Sequence, residues 1–310
     1  MITNPKLTVA IPTFNRETYL GQVLESLKAQ SEQSFNVIIF DNASSYDIES
    51  LISRFPSLSI SLERNAINMG NQANFERVMK HVYSAPYVMI FHDDDTIHPN
   101  YFKDALKILE GNQKLNWLGS YITYTHDDNK MQCFRESPAD VQFEVYTKQE
   151  LANAFMHNAP IGFSSVIYKK EALAVTSPDA PRFHKWLDRP FMLEACANGT
   201  VAIMTFPYIN YRIHASQDSA QSYRNHIPEM VNLIEYLSIT GSANIKTKVF
   251  STTSALRAAA INAQSIHDFS VILKIFTARD LFSLRYLRPY SLAWLFWLIG
   301  KRLRNYLLSR

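Results

Sequence analysis

The sequence predicts an α/β protein, with a mostly parallel sheet flanked by helices and a helical C-terminal extension. Three observations carry this reading. Short apolar runs at Leu7–Ile11, Phe35–Phe40, Leu58–Leu62 and Tyr87–Phe91 alternate with helix-patterned segments, as in βαβ units. Each run ends in polar residues: Thr13 and Asn15, Asp41 and Ser44, Arg64 and Asn68, Asp93 and Asp95. In a parallel sheet these ends emerge on one edge, where ligands of open α/β sheets bind. From about Gln217 the pattern turns helical.

Taken in order, Leu7–Ile11 is a strand and Pro12–Arg16 a loop. Thr18 is placed to cap a helix over Tyr19–Gln30, with Leu20, Val23, Leu24 and Leu27 as its buried stripe. Phe35–Phe40 leads into Asp41-Asn42-Ala43-Ser44-Ser45, then a helix over Ile48–Phe55 and a strand over Leu58–Leu62. Asn68-Met69-Gly70-Asn71 opens a helix over Gln72–Tyr83. Beyond the fourth strand, Pro99 precedes a helix over Asn100–Glu110. Trp117–Thr125 is β-like, and His126–Asp140 reads as a polar loop. A helix over Thr147–His157, a strand over Phe163–Tyr168 and a loop over Pro178–His184 follow. Trp186-Leu187-Asp188-Arg189 enters a helix that stops at Asn198-Gly199. Val201–Met204 and Tyr208–Ile213 read as two strands, the second ending in His214. Ile227–Thr240, Lys246–Ser265 and Asp268–Thr277 have helical patterns.

The fourth run, Tyr87-Val88-Met89-Ile90-Phe91, ends after His92 in Asp93-Asp94-Asp95. Adjacent like charges raise the cost of ionising all three. A divalent cation relieves that repulsion, since hard cations take carboxylate oxygens. Mg²⁺ or Mn²⁺ holding a phosphate-rich ligand is therefore expected here, the alternative being a solvated loop start.

Composition narrows the class. The 310 residues are 47% hydrophobic, enough for a substantial core, and the net charge of +3 gives no global field for nucleic acid. The two cysteines, Cys133 and Cys196, make neither a disulfide framework nor a zinc pattern. The polar start and the lack of a signal-peptide pattern lead to an expected cytoplasmic location. No apolar run reaches the roughly 18–20 residues that cross a bilayer. A Gly-x-Gly-x-x-Gly turn and a Walker loop are both missing, which argues against a dinucleotide or P-loop site.

Several segments together resemble the inverting glycosyltransferases of family 2. They are Val9-Ala10-Ile11-Pro12-Thr13-Phe14-Asn15-Arg16, Asp41-Asn42-Ala43-Ser44, Asn68-Met69-Gly70 with Asn74, the triple acid, Trp186-Leu187-Asp188 and Tyr211-Arg212-Ile213-His214. The resemblance spans roughly Leu7–Ser219 and departs at His92 and Leu187. It implies a GT-A fold, a Rossmann-like mostly parallel sheet flanked by helices. It also implies a catalytic domain over residues 1–216, with a nucleotide-sugar half at about 1–98 and an acceptor half at 99–216, before a helical region at 217–310.

The resemblance also implies roles. Asp95, Asp93 and His214 would hold Mn²⁺ or Mg²⁺, and Asp93 and Asp94 would lie by the donor. Pro12, Thr13, Asn15, Arg16, Asp41, Asn68 and Gly70 would bind a UDP- or dTDP-sugar, with Arg64 a further phosphate or base contact. Asp188 would be the base that takes the acceptor's proton, with Trp186 stacking on a sugar. Gly162, Phe163 and Ser164 would line the acceptor side. The acceptor would be a glycan or lipid-linked glycan in O-antigen, capsule or lipopolysaccharide assembly.

The end of the chain is basic and aromatic: Arg285-Tyr286-Leu287-Arg288, Trp294-Leu295-Phe296-Trp297, then Lys301, Arg302, Arg304 and Arg310. This composition suits a helix lying on the inner face of the cytoplasmic membrane. Its alternative is a helix packing on the catalytic domain or on a second copy in a homo-oligomer. Two other functions fit parts of the pattern. One is a metal-dependent hydrolase, either phosphoesterase or glycosidase; the other is a non-catalytic, membrane-associated scaffold.

Overall fold

The computed structural model describes residues 4–126, 134–157, 159–177, 179–214 and 227–242. The chain divides into two compact units. The first comprises Met1–Thr147, Pro160–Ser177 and Glu194–His214; the second comprises Lys148–Ala159, Pro178–Leu193 and Ala215–Arg310.

In the first unit, β1 (Leu7–Thr13), α1 (Glu17–Lys28), β2 (Phe35–Asp41), α2 (Ile48–Ser53), β3 (Ile60–Arg64), α3 (Asn71–Lys80) and β4 (Tyr87–Ile90) follow the expected alternation. β1, β2, β3 and β4 are parallel, in the spatial order β3-β2-β1-β4. β1 pairs β2 from Leu7↔Phe35 to Thr13↔Asp41 and β4 from Leu7↔Tyr87 to Ala10↔Ile90. The chain thus builds outward from β1 on one side, then returns to its other side. The carboxyl ends of β1, β2 and β4 flank that switch point. β4 is buried along its length, as both faces of a parallel strand require.

The rest of the sheet is mixed. After β5 (Thr96–Ile97), α4 (Tyr101–Gly111), β6 (Leu115–His126) and β7 (Phe143–Tyr146) come α5 (Lys148–Met156), β8 (Ile167–Lys169), α6 (Lys170–Ala174), α7 (Ala180–Phe183), α8 (Asp188–Glu194) and β9 (Thr200–Ile213). The order continues β4-β8-β6-β9-β5, with β7 also on β9. β8 is antiparallel to both β4 and β6, whereas β6 and β9 are parallel.

Four local expectations change. Thr18 lies inside α1; Arg16 is the N-cap and makes no side-chain cap bond. The two strands expected at Val201–Met204 and Tyr208–Ile213 are one, because β9 runs through Pro207. Its register shifts between Ser120↔Met204 and Tyr121↔Pro207, an irregularity that accommodates a residue with no N–H. Phe163–Ser165 is a 3-10 turn before β8, not the start of a strand. The short β5 and the edge strand β7 were not expected, since neither carries a long alternating pattern.

The core packs α1, α2 and α4 on the sheet. Leu20, Val23, Leu24 and Leu27 of α1 are all fully buried, each contributing about 1.5–3 kcal/mol by leaving water. Gly199 turns the chain into β9 through a tight gap. A Cβ there would stand 2.8 Å from the Lys114 carbonyl oxygen and 2.6 Å from Asn116 Nδ2. That amide donates to Cys196 O at 2.6 Å, so it is not free to withdraw.

In the second unit α9 (Ile227–Thr240) packs against α5 and α7. Leu233, Ile234 and Leu237 are buried, Phe183 meets Tyr236 at 5.3 Å, and Asn153 Nδ2 donates to Gly241 O at 3.0 Å. α8 enters from a 3-10 turn at His184–Trp186. The segments expected at Lys246–Ser265, Asp268–Thr277 and Arg285–Arg310 lie outside the described residues, as does Cys133. Among the described residues no helix is long and apolar enough to cross a membrane.

His98 is buried among the rings of Phe134, Phe206 and Tyr208, at 5.3, 5.6 and 5.3 Å. Its Nδ1 accepts from the Asn100 N–H at 3.0 Å, so Nε2 carries the proton and donates to Arg135 O at 3.0 Å. Burial lowers its pKa; the Arg135 carbonyl and Asp104 oppose this but do not win.

Two predictions follow from these contacts. Gly199→Ala should cost about 1–3 kcal/mol through overpacking, read as a lower urea midpoint; an unchanged midpoint would mean that the turn relaxes freely. For His98 the unfolded chain binds a proton first as pH falls, so this group's stabilisation is present above about pH 6.5 and declines below it. His98→Gln should remove that part of the slope of stability against pH between 7.5 and 5. Equal slopes in the two proteins would refute the assignment.

Candidate active site

The polar ends of β1, β2, β3 and β4 meet as hydrogen-bonded partners. Thr13 Oγ1 donates to Asp93 Oδ2 at 2.8 Å, which ties β1 to the loop after β4. Asn15 has a φ of 54°, a left-handed geometry that asparagine tolerates. Its N–H donates to Ser44 Oγ at 2.9 Å, and its Oδ1 accepts from the Ser45 N–H at 2.8 Å. Asp41 is wholly buried, receives the Ser44 N–H and hydroxyl, and pairs with Arg64 Nε at 3.2 Å. Its carboxylate therefore shapes the loop and anchors Arg64 instead of standing open to solvent.

A ladder of asparagines extends this frame. Asn42 Nδ2 donates to Asn68 Oδ1 at 2.8 Å and to Gly70 O at 3.1 Å, while its Oδ1 accepts from Asn65 Nδ2 and the Met69 N–H, each at 2.9 Å. Buried Asn74 donates to Phe40 O at 3.0 Å. Gly70, with a φ of +86°, begins α3 in a conformation that disfavours a side chain. Asn68 and Gly70 are thus fixed to the end of β2. Asn65 was missed by sequence reasoning, since a lone asparagine after a strand carries no signal.

The three acids face different partners. Arg16 Nη1 reaches Asp93 Oδ1 at 2.9 Å and also contacts Asp94 Oδ2. His214 Nε2 lies 2.9 Å from the same Asp94 oxygen. Asp95 receives Ser164 Oγ at 2.6 Å and the Arg212 N–H at 3.0 Å, with His92 Nδ1 3.4 Å from its Oδ2. Burial pushes the Asp93 carboxyl upward, and Arg16 and Thr13 only partly offset it. For Asp94 burial acts in the same upward sense, but His92, Arg16 and His214 outweigh it and hold the carboxyl below the usual range.

Among the described residues, the group geometrically able to hold a metal is His92, Asp94 and Asp95, whose ligand atoms all lie within 4.8 Å of one another. It differs from the expected set of Asp93, Asp95 and His214. Asp93 is turned to Thr13 and Arg16, and His214 to Asp94. Carboxylate oxygens with an imidazole nitrogen form a donor set that suits Mn²⁺ and accepts Mg²⁺ through the oxygens.

Arg212 was not singled out, although its motif was. Its backbone N–H holds Asp95, its Nε donates to Asp94 O at 2.8 Å, its guanidinium reaches Gln22, and it lies 4.7 Å over the Tyr19 ring. Tyr46 was missed as well. Its hydroxyl is buried near Thr13, and burial beside Asp41 and Asp93 drives its pKa far upward, with Thr13 only partly opposing. Gly162 precedes the turn that carries Ser164; a Cβ there would stand 2.8 Å from Ile122 Cγ2. Pro12 sits within β1 opposite Phe40. Asp188, the first residue of α8, and Trp186 in the preceding turn both belong to the second unit.

The fold agrees with solved structures. A Staphylococcus aureus TarS fragment in complex with UDP aligns with a TM-score of 0.63 at 14% identity, covering 97% of this chain and 89% of that one. A Pyrobaculum calidifontis mannosyltransferase in complex with GDP-Man and Mn²⁺ aligns with a TM-score of 0.51 at 16% identity, over 97% and 87%. The architecture is that of GT-A glycosyltransferases. Among curated relatives, an uncharacterised Haemophilus influenzae glycosyltransferase is 20% identical over 90% of this chain and 88% of its own length. Another from the same organism is 27% identical over 36% of this chain, and the match spans 37% of that relative's length. The abequosyltransferase RfbV of Salmonella typhimurium is 32% identical over 34% of this chain and 31% of its own. Residues 8–175, more than half of the chain, match the family described as glycosyl transferase family 2, and the chain belongs to that family.

Proposed function

We propose that the protein is an inverting, metal-dependent transferase that moves a sugar from a UDP- or dTDP-linked donor to a hydroxyl of a glycan or lipid-linked glycan. The observation that carries this reading is the convergence of Thr13, Arg16, Asp93, Asp94 and Asp95 at the carboxyl ends of β1 and β4, beside the loop that follows β2. The UDP and UDP-GlcNAc complexes of TarS and the Mn²⁺ complex of the mannosyltransferase lend it support.

In this reading the donor's base and ribose lie along Pro12, Thr13, Asn15 and the loop held by Asp41, with Asn68 and Gly70 closing one side. Arg16 and Arg64 meet phosphate or base. His92, Asp94 and Asp95 would hold the cation, which would supply positive charge to the diphosphate as the bond from the anomeric carbon to the phosphate oxygen breaks. Ser164 and the Arg212 N–H fix the orientation of Asp95, and Arg16 and His214 fix that of Asp94. Asp188 takes the proton of the acceptor hydroxyl as its oxygen attacks the anomeric carbon, with Trp186 beside it on the sugar. The basic, aromatic segment Arg285–Arg310 keeps the protein at the inner face of the cytoplasmic membrane, near lipid-linked acceptors.

A thermal-shift screen of nucleotides and nucleotide-sugars tests the donor reading, because a ligand that binds only the folded state raises apparent stability. UDP or dTDP compounds should raise the melting temperature with Mn²⁺ and lose most of that effect in EDTA. Asp95→Asn should abolish the metal-dependent part while leaving the ligand-free melting temperature within a few degrees; full stabilisation in Asp95→Asn would remove this acid from the site. Asp188→Asn should keep the donor-induced shift and lower transfer by about 100-fold or more, the range of general-base catalysis. Transfer at the parent rate would put the base elsewhere.

A further inference from the structure

A strip of aromatic rings leads away from the acids. The His92 ring, whose Nδ1 lies 3.4 Å from Asp95, is 6.5 Å from the Tyr211 ring, at 67° to it. Tyr211 in turn meets Tyr124 edge-to-face, with centroids 5.6 Å apart and planes at 75°. The two tyrosines are cross-strand partners in the parallel pair β6·β9, so they share a face. Ile122, two residues before Tyr124 on that face, is the residue that a Cβ at Gly162 would strike. The strip therefore joins the acid cluster to the Gly162 turn.

The outer member of the strip, Tyr124, is 60% exposed; β8 pairs β6 only at Trp117 and Leu118, so at Tyr124 the β6 edge away from β9 lies beyond the reach of that strand. Nearby Ile213 is 37% exposed. A ring that is held edge-on by its neighbour and left open to water is an apolar plate with a polar tip. An exposed ring beside a polar site is a surface on which a ligand can stack. A pyranose has the complementary form: its axial C–H groups make an apolar face, and its hydroxyls ring the edge.

We propose that Tyr124, supported by Tyr211, is a stacking platform for a pyranose ring of the acceptor, one sugar removed from the reacting hydroxyl or that sugar itself. This rests on the transferase reading above. Tyr124 acts by its ring and not by its hydroxyl, and it takes no part in donor binding.

The test uses the full chain with UDP and Mn²⁺ and a panel of methyl pyranosides: glucoside, galactoside, mannoside, N-acetylglucosaminide and rhamnoside. Saturation-transfer NMR reports which ring protons contact the protein. At least one glycoside should receive saturation through its ring C–H groups. Tyr124→Ala should weaken that binding about tenfold, and Tyr124→Phe should retain it, as loss of one aromatic contact predicts. The UDP- and Mn²⁺-induced thermal shift should be the same in all three proteins. Binding of no glycoside, equal binding by Tyr124→Ala, or loss in Tyr124→Phe would each overturn the platform. So would a ligand-free melting temperature many degrees lower in Tyr124→Ala, which would show that the ring packs on the chain itself. Absence of any UDP-dependent shift in the parent protein would instead sink the transferase reading on which the platform rests.

Discussion

Asp93, Asp94 and Asp95 follow a fully buried strand and are themselves only 7%, 8% and 1% exposed. Three neighbouring carboxylates in so dry a place repel one another, and each loses much of its hydration. The surroundings answer carboxylate by carboxylate. Arg16 spans Asp93 and Asp94, Thr13 donates to the first, His214 meets the second, and Ser164 with the Arg212 amide holds the third. Arg16 serves two of them, so its loss would leave buried carboxylate charge uncompensated. The donors come from β1, the loop after it, the turn before β8, and β9 with the residue that follows it. The acids thus tie together strands from both halves of the sheet.

The topology explains why those donors are close at hand. With β1 between β2 and β4, the loops after all three strands open on the same edge. β9 reaches that edge from the other half of the sheet by running parallel to β6 for its whole length and pairing β5 across Thr96↔Asn210. The pairing explains the position of Arg212 and His214. Two residues beyond Asn210, Arg212 aligns its N–H with Asp95, and two further on His214 reaches Asp94. The two-residue β5 looks trivial as a strand, yet it fixes the register that delivers both side chains.

Much of this was legible in the residues. Buried parallel strands announce themselves as apolar runs, and the polar ends of the first four proved to be mutual partners, as Thr13 and Asp93 or Asn42 and Asn68 illustrate. What escaped was decided by tertiary contacts. β5 has two residues and no pattern of its own. Pro207 looks like a strand break, but a register shift against β6 absorbs it. Thr18 resembles a cap, but the helix starts earlier, where Arg16 turns toward the acids. The metal-capable group differs from the expected set for a related reason. Sequence order says nothing of how three adjacent acids share the protein's own cations, and here Arg16 spans Asp93 and Asp94 while His92 stands beside Asp94 and Asp95.

The same details bear on the competing functions. A hydrolase needs a metal-held water and an exposed base, but it has no use for a second, equally ordered polar frame nearby. Here the Asn42–Asn65–Asn68–Asn74 ladder and the Asp41–Ser44–Arg64 group lock two loops to the end of β2 next to the acids. Such rigid framing is suited to a ligand larger than a phosphate, with a base and ribose to be held in register. A scaffold subunit has still less reason to keep Asp93, Asp94 and Asp95 buried together, because apolar residues of similar volume in such a place are often more stabilising. The burial of charge at the edge where strand ends converge is a cost that the proposed binding of a cation and a diphosphate would offset, and neither alternative offers an equivalent return for the second frame.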